Sequence, residues 1–271
     1  MLTFTKMNGA GNDFVMLDNR TNAWSLSTAQ IASLCDRHRG VGADGLIAVE
    51  PAQQGADVRM RYYNADGGEA EMCGNGARCF ARYVQRLLGD GRSQVRFETM
   101  AGVLSATYEG DLVRLAMSVP HGLALGTRLP VAEATLPVHF LNTGVPHAVV
   151  CVEDLAATPV VLWGAALRYH PHFAPKGTNA NFLQVLAPGS IAIRTYERGV
   201  EDETLACGTG MVACALVHHL LSGAPSPISV KVRGGDTLHI GFTPGAEQSF
   251  TEVTLTGPAD FVFEGTTPLL A

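Results

Sequence analysis

The chain is poor in lysine: of its 19 basic residues only Lys6, Lys176 and Lys231 are lysines, and the basic residues never gather into a cluster. With a formal net charge of -6, the surface lacks what a phosphate backbone requires, so nucleic acid is not an expected partner. There is no run of about 18 apolar residues, which excludes a spanning helix and a membrane partner. The opening MLTFTKMNGAGNDF has no basic segment followed by an apolar run, so no secretory leader is expected. No CxxC pair occurs, and the six cysteines are expected to be thiols in a reducing, cytoplasmic setting. What is present is an ordinary apolar content of 46%, enough for a folded protein, and 271 residues, which is more than one core needs. Two domains and a small-molecule partner are the starting expectation.

The chain then reads as a duplication. Tyr63 to Val84, YNADGGEAEMCGNGARCFARYV, lies over Tyr196 to Val217, YERGVEDETLACGTGMVACALV, with the leading cysteines Cys73 and Cys207 placed 134 positions apart. Upstream, NGAGNDFVMLD resembles NTGVPHAVVCVED, and Asn12 precedes Cys73 by 61 positions as His147 precedes Cys207 by 60. GADGLIAVE parallels TNANFLQVL, and QVRFETMAGVLSATY and ISVKVRGGDTLHIGF are both alternating strands broken at glycine. The helix after each Cys-Gly-x-Gly is expected to stop at Gly89 and at Gly223, and the second is apolar almost all round, as a buried central helix would be. The fold class expected is α+β: two pseudo-symmetric domains, each a mixed or barrel-like set of strands wrapped around a central helix. The halves are expected at 1–118 and 119–261, joined near Ser118 to Pro130, with a tail of about 262–271 packing on the first half.

A cysteine at a helix start meets unpaired backbone N–H groups and the positive end of the dipole, which favours the thiolate and can also hold a carboxylate. Halves related by a pseudo-twofold would set Cys73 and Cys207 on opposite walls of one cleft, one as thiolate base and one as thiol acid. That apparatus suits racemisation or epimerisation of an α-amino acid, with helix amides stabilising the enolate-like carbanion. No cofactor is expected. None of the three lysines stands in a pyridoxal Schiff-base context, no convincing Gly-x-Gly-x-x-Gly follows a strand, and neither His170 with His172 nor His218 with His219 has the spacing of a metal site.

At these residues the sequence resembles the diaminopimelate epimerases. MNGAGNDFVMLD, ADGL, CGNGAR, NTGVPHAVV, TNANFLQV, the YERG…ACGTG block and GPADFVFEG carry the likeness through nearly the whole chain. The resemblance implies pyridoxal-independent epimerisation of LL-2,6-diaminopimelate to the meso form, in lysine and peptidoglycan precursor biosynthesis. It further implies Cys73 and Cys207 as the acid/base pair, with His147 and Glu197 adjusting their protonation. Gly74 and Asn75, and Gly208 and Thr209, would hold the carboxylate at the reacting centre. Asn12, Asn64, Asn179, Glu197 and Arg198 would contact substrate, Arg198 at the distal carboxylate. No metal is implied, and a homodimer is allowed. Proline racemases share the cysteine pair but have a histidine where Asn75 stands, and a phenazine-pathway branch shares the fold without the pair. The chain departs from the family at Gly45, where some members have Gln, and at Val145, where many have Asn. A racemase or epimerase of another amino acid, such as histidine, proline or hydroxyproline, and a thiol redox protein are the alternative readings.

Overall fold

The structure is a computed structural model that describes residues 1–70 and 73–268. The chain divides into two compact units, one formed by Met1–Leu115 with the segment from Gly257 onward, the other by Ala116–Thr256.

In the first unit, β1 (Leu2–Gly9) turns through Ala10 and Gly11, at φ 62° and 98°, into β2 (Asn12–Asp18). Consecutive positive φ values match the right-handed twist of a two-residue hairpin. Helix α1 (Thr28–Cys35) opens on a capping box in which Ser27 accepts from the Gln30 amide and Gln30 accepts from that of Ser27. Then come β3 (Gly45–Glu50), β4 (Val58–Asn64), β5 (Glu69–Ala70), α2 (Gly74–Leu88), β6 (Gln94–Thr99), β7 (Gly102–Glu109) and β8 (Leu112–Ala116). The last strand of the chain, β18 (Asp260–Thr267), pairs antiparallel with β1. Spatial order is therefore β18-β1-β2-β3-β4-β6-β7-β8, with the β2–β3 and β4–β6 pairs parallel.

The second unit repeats this plan. It runs β9 (His121–Val131), β10 (Ala134–Asn142), β11 (Pro146–Cys151), α3 (Val160–Arg168), β12 (Asn179–Ala187), β13 (Ser190–Glu197), β14 (Asp202–Thr204), α4 (Gly208–Ser222), β15 (Ile228–Lys231), β16 (Thr237–Pro244) and β17 (Phe250–Pro258). Spatial order is β9-β10-β11-β12-β13-β15-β16-β17, with α3 and α4 bridging the parallel pairs β11–β12 and β13–β15 as α1 and α2 bridge β2–β3 and β4–β6. The one difference in connectivity is the edge strand. The second unit takes β9 from just before β10, whereas the first takes β18 from the far end of the chain.

Helices α2 and α4 are the cores of their units. The first packs on β1, β2, β3, β4, β6 and β7, and the second on β10, β11, β12, β13, β15 and β16. Helix α4 is buried continuously from Met211 to His218, so it has no polar face. Helix α2 keeps Arg82 and Arg86 at its margin, where Arg82 reaches Asp111 at 2.8 Å. Both helices stop as expected, on Gly89 at φ 59° and Gly223 at φ 71°, a left-handed turn that costs glycine nothing. The α+β architecture of two similar units around central helices is thus the observed one.

The stretch expected as a link, Ser118 to Pro130, is mostly strand β9. Its glycines Gly122 and Gly126, at φ 71° and 68°, lie where the β9–β10 register shifts, so they make bulges in a strand. The unit division falls instead at Leu115/Ala116, and the chain re-enters the first unit at Gly257, before residue 262.

Candidate active site

In the second unit Cys207 is the N-cap residue of α4, extended at φ -130° and ψ 110° and only 7% exposed. The first-turn amides of Gly208, Thr209 and Gly210 therefore have no partners within the helix. Directly beneath lies a fully buried polar row on three adjacent strands: His147 on β11, Asn181 on β12 and Thr195 on β13. The Thr195 hydroxyl donates to Asn181 Oδ1 at 3.0 Å, and Asn181 Nδ2 lies 3.1 Å from His147 Nδ1. His147 Nε2 lies 2.9 Å from the Thr209 hydroxyl, which stands 3.7 Å from Cys207 Sγ. Thr143 fixes the same turn by donating to the Thr209 carbonyl at 2.9 Å. Burial, with Arg198 nearby, depresses the His147 pKa to about 3, so the imidazole is neutral.

At the end of β13 the side-chain Oδ1 of Asn179 accepts from the Arg198 backbone amide at 2.9 Å, and its Nδ2 donates to the Pro146 carbonyl at 2.9 Å. That bridge ties the start of β11 to the turn carrying Glu197 and Arg198. Burial raises the Glu197 carboxyl above its ordinary range. The Arg198 guanidinium is partly exposed and donates to the Lys176 carbonyl at 3.3 Å.

In the first unit Cys73 is the N-cap of α2 with nearly the same backbone, φ -134° and ψ 121°. Here the polar groups form a chain that begins and ends on charge. Arg78, fully buried, donates to Asn75 Oδ1 at 3.0 Å; Asn75 donates to Asn12 Oδ1 at 2.7 Å; and Asn12 donates to Asp44 Oδ2 at 2.9 Å. Asp44 and Asp13 are both bound by Arg37, and Asp13 also by buried Lys6 at 2.8 Å. Burial pushes the Asp13 carboxyl up, but the bonds from Arg37 and Lys6 outweigh it and hold the pKa at about 2. Asn64 is exposed at the end of β4, where its Oδ1 accepts from the Tyr62 hydroxyl at 2.9 Å.

Ladder register makes the correspondence between the units exact to the residue. Gly45 pairs with Phe14 and with Asn64, and Asn179 pairs with His147 and lies opposite Glu197, one residue beyond the Ala180–Tyr196 pair. Phe14 is therefore the counterpart of His147, Gly45 of Asn179, Asn64 of Glu197 and Ile47 of Asn181. The spacing from the cysteines instead sets Asn12 against His147. Phe14 and His147 precede their cysteines by 59 and 60 positions, so cysteine spacing by itself does not separate Phe14 from Asn12, two residues away on the same strand face. Gly45 carries no side chain because a Cβ would come 2.4 Å from the Tyr63 carbonyl oxygen.

Sequence reasoning did not single out Asn181, Thr195, Arg78 or Asp44 as site residues. A signal for Asn181 existed: in TNANF the asparagines at 179 and 181 alternate onto one face of a mostly apolar strand. Three further cysteines are disabled as nucleophiles by burial, which pushes Cys35 up to about 11, Cys79 up to about 12, and Cys214 upward. Among the described residues no group of three His, Cys, Asp or Glu is placed to hold a metal ion, and no helix is long and apolar enough to cross a membrane.

The family model described as diaminopimelate epimerase matches residues 4–120 and 139–262. The diaminopimelate epimerase of Aquifex aeolicus is 42% identical over 278 residues, covering 97% of each chain. That of Chlorobaculum tepidum is 42% identical over 269 residues, covering 97% of this chain and all of its own. Among solved structures, a Bacillus anthracis phenazine biosynthesis protein of the PhzF family superposes with a TM-score of 0.74 at 16% identity, covering 98% of this chain and 99% of its own. A hydroxyproline epimerase from Agrobacterium vitis gives 0.70 at 17%, covering 97% and 91%. The structural likenesses establish the fold; the sequence matches, spanning both cysteine-capped helices, establish that the chain belongs to the diaminopimelate epimerase family.

Proposed function

We propose that this protein epimerises LL-2,6-diaminopimelate to meso-diaminopimelate without pyridoxal phosphate, with Cys73 and Cys207 as the acid/base pair. The observation that carries the reading is the pair of cysteine N-caps, with matching backbone, inside a chain that matches diaminopimelate epimerases over 97% of its length. One thiolate takes the α-proton, the other thiol gives one, and the roles exchange with the direction of reaction. The first-turn amides of α2 and α4, from Gly74 and Asn75 and from Gly208 and Thr209, are the donors for the carboxylate whose charge grows as the carbanion forms. Arg198 suits the distal carboxylate and Glu197 a substrate ammonium, with Asn12, Asn64 and Asn179 as further contacts. Their partners support this, since Asn12, Asn75 and Asn179 are each held in one amide orientation by the bonds described above. The product would serve lysine and peptidoglycan precursor synthesis in the cytoplasm, and a homodimer is the assembly proposed.

Incubation of LL-diaminopimelate in heavy water should give the meso product and deuterium at one α-carbon. Folded, reduced protein that yields neither overturns the reading, and exchange into proline or hydroxyproline instead would favour the sibling activity. Either Cys73→Ala or Cys207→Ala should lower turnover by roughly 10³-fold or more, the range for removing a positioned acid or base. A mutant that keeps wild-type turnover excludes the two-thiol scheme.

A further inference from the structure

The row beneath Cys207 has a direction, and the direction follows from which groups can only donate. Asn181 Nδ2 lies 2.9 Å from the Ala148 carbonyl oxygen, a group that only accepts, while the opposite end of the same amide accepts from the Thr195 hydroxyl at 3.0 Å. The amide is therefore not reversible, and the atom 3.1 Å from His147 Nδ1 is an NH2. An NH2 donates, so Nδ1 must be the unprotonated ring nitrogen. His147 is fully buried, and its one remaining proton then sits on Nε2, 2.9 Å from the Thr209 hydroxyl oxygen. With that oxygen accepting from the ring, the hydroxyl's own hydrogen is left for the sulfur of Cys207 at 3.7 Å.

We infer that Asn181, locked by Thr195, is a positioning residue that holds His147 in its Nε2–H tautomer so that the Thr209 hydroxyl donates to the Cys207 thiolate. This rests on the reading of Cys207 as an acid/base thiol. The geometry also explains Gly210, where a Cβ would stand 2.4 Å from Asn181 Oδ1: a side chain there would push the amide off its partners. An apolar residue fits the same place in the first unit, where Ile47 holds the corresponding position on β3 and its Cδ1 approaches Gly76. The polarity at 181 is thus not something the fold demands. At α4 an imidazole and a hydroxyl thus form a set of neutral donors, aligned in advance, that stabilises the charged form of Cys207.

The first test is the ring itself. Nitrogen-15 NMR of histidine-labelled protein, with the His147 signals identified by their loss in His147→Phe, should show a protonated Nε2 and an unprotonated Nδ1. The reverse tautomer, or a charged ring, overturns the inference while leaving epimerase activity untouched. The second test is kinetic. Asn181→Leu, near in size and apolar as at Ile47, should release the tautomer and lower kcat about tenfold or more with KM little changed. Thr209→Val should lower kcat comparably with the tautomer preserved, and the double variant should fall no further than the worse single one, because both act on one chain of bonds. Additive losses, or an Asn181→Leu protein with wild-type kcat, overturn the inference. Should Asn181→Leu fail to fold, the wild-type tautomer and Thr209→Val still decide it.

Discussion

The two units share strand order, helix caps and register, yet the ground beneath their cysteine-capped helices differs in kind. Under α4 stand His147, Asn181 and Thr195; under α2 the matching places hold Phe14, Ile47 and Tyr62, with the Phe14 and Tyr62 rings edge to face at 6.1 Å. The polarity of the first unit lies instead within and beside its helix, in Arg78, Asn75, Asn12 and Asp44, where α4 carries Val212 at the place of Arg78. One copy of the fold anchors the Asn12 and Asn75 amides to charge, and the other sets an imidazole and a hydroxyl in line beneath a sulfur. A duplicated scaffold fixes where two helix N-termini begin. What each terminus does is set by a few side chains that the scaffold tolerates in either polarity.

The sharpest way to break that contrast is to convert one floor into the other. His147→Phe, copying Phe14, should preserve the fold and reduce kcat by roughly 10- to 100-fold through loss of the hydrogen bond to Thr209. Turnover within twofold of wild type would show that the floor of the second unit is only packing. Next in size, Gly210→Ala should lower stability by roughly 2 kcal/mol as the new Cβ strikes Asn181, whereas Gly76→Ala meets the movable end of Ile47 at 2.8 Å and the edge of the Phe14 ring at 3.3 Å and should cost less. Equal shifts in denaturation midpoint would mean the two floors give way alike.

The charged anchor makes a pH prediction confined to the first unit. The folded pKa of Asp13, about 2, lies below its ordinary 3.8, so its stabilisation is fully present above about 3.8 and lost as pH falls through about 2. The loss should amount to roughly 2 kcal/mol. In Asp13→Asn this acid-dependent component should vanish from the urea midpoint measured across pH 4.5 to 2, in steps of about half a unit. An unchanged acid dependence would remove Asp13 from the anchor. Smallest of all, Gly89→Ala and Gly223→Ala should each cost about 1 kcal/mol, because both occupy the same left-handed cap and neither has a neighbour closer than 3.9 Å. Here the comparison predicts sameness, and a difference above about 1 kcal/mol between them would break it.

How much of this could be read from the chain depended on the range of the interaction. The helix starts at Cys73 and Cys207, their stops at Gly89 and Gly223, the duplication and the family resemblance are all carried by short motifs, since caps and turns are decided within about four residues. The pairing of Asn64 with Glu197 was legible for the same reason, each following a tyrosine that leads into a cysteine block. The two-residue offset that makes Phe14, not Asn12, the counterpart of His147 was not, because a shift of two keeps the same strand face and so leaves the alternation of the strand unchanged. Nor was the Pro- and Gly-rich stretch of β9 readable as a strand, since bulge glycines and linker glycines have the same spelling.

By itself, then, the sequence determined the local chemistry: two thiols at two helix N-termini, and a chain with few lysines and no motif asking for a cofactor. Tertiary structure alone decided that β18 returns to β1, that Arg78 reaches the carbonyls of Gly9 and Pro258, and that Thr195, Asn181, His147 and Thr209 line up beneath Cys207. The side-chain bonds among them join residues 14 to 180 positions apart, and the β1–β18 ladder joins residues more than 250 apart. They form because a buried polar atom must find a partner somewhere in the packed unit, and which partner is nearest is settled by strand register, not by neighbours along the chain.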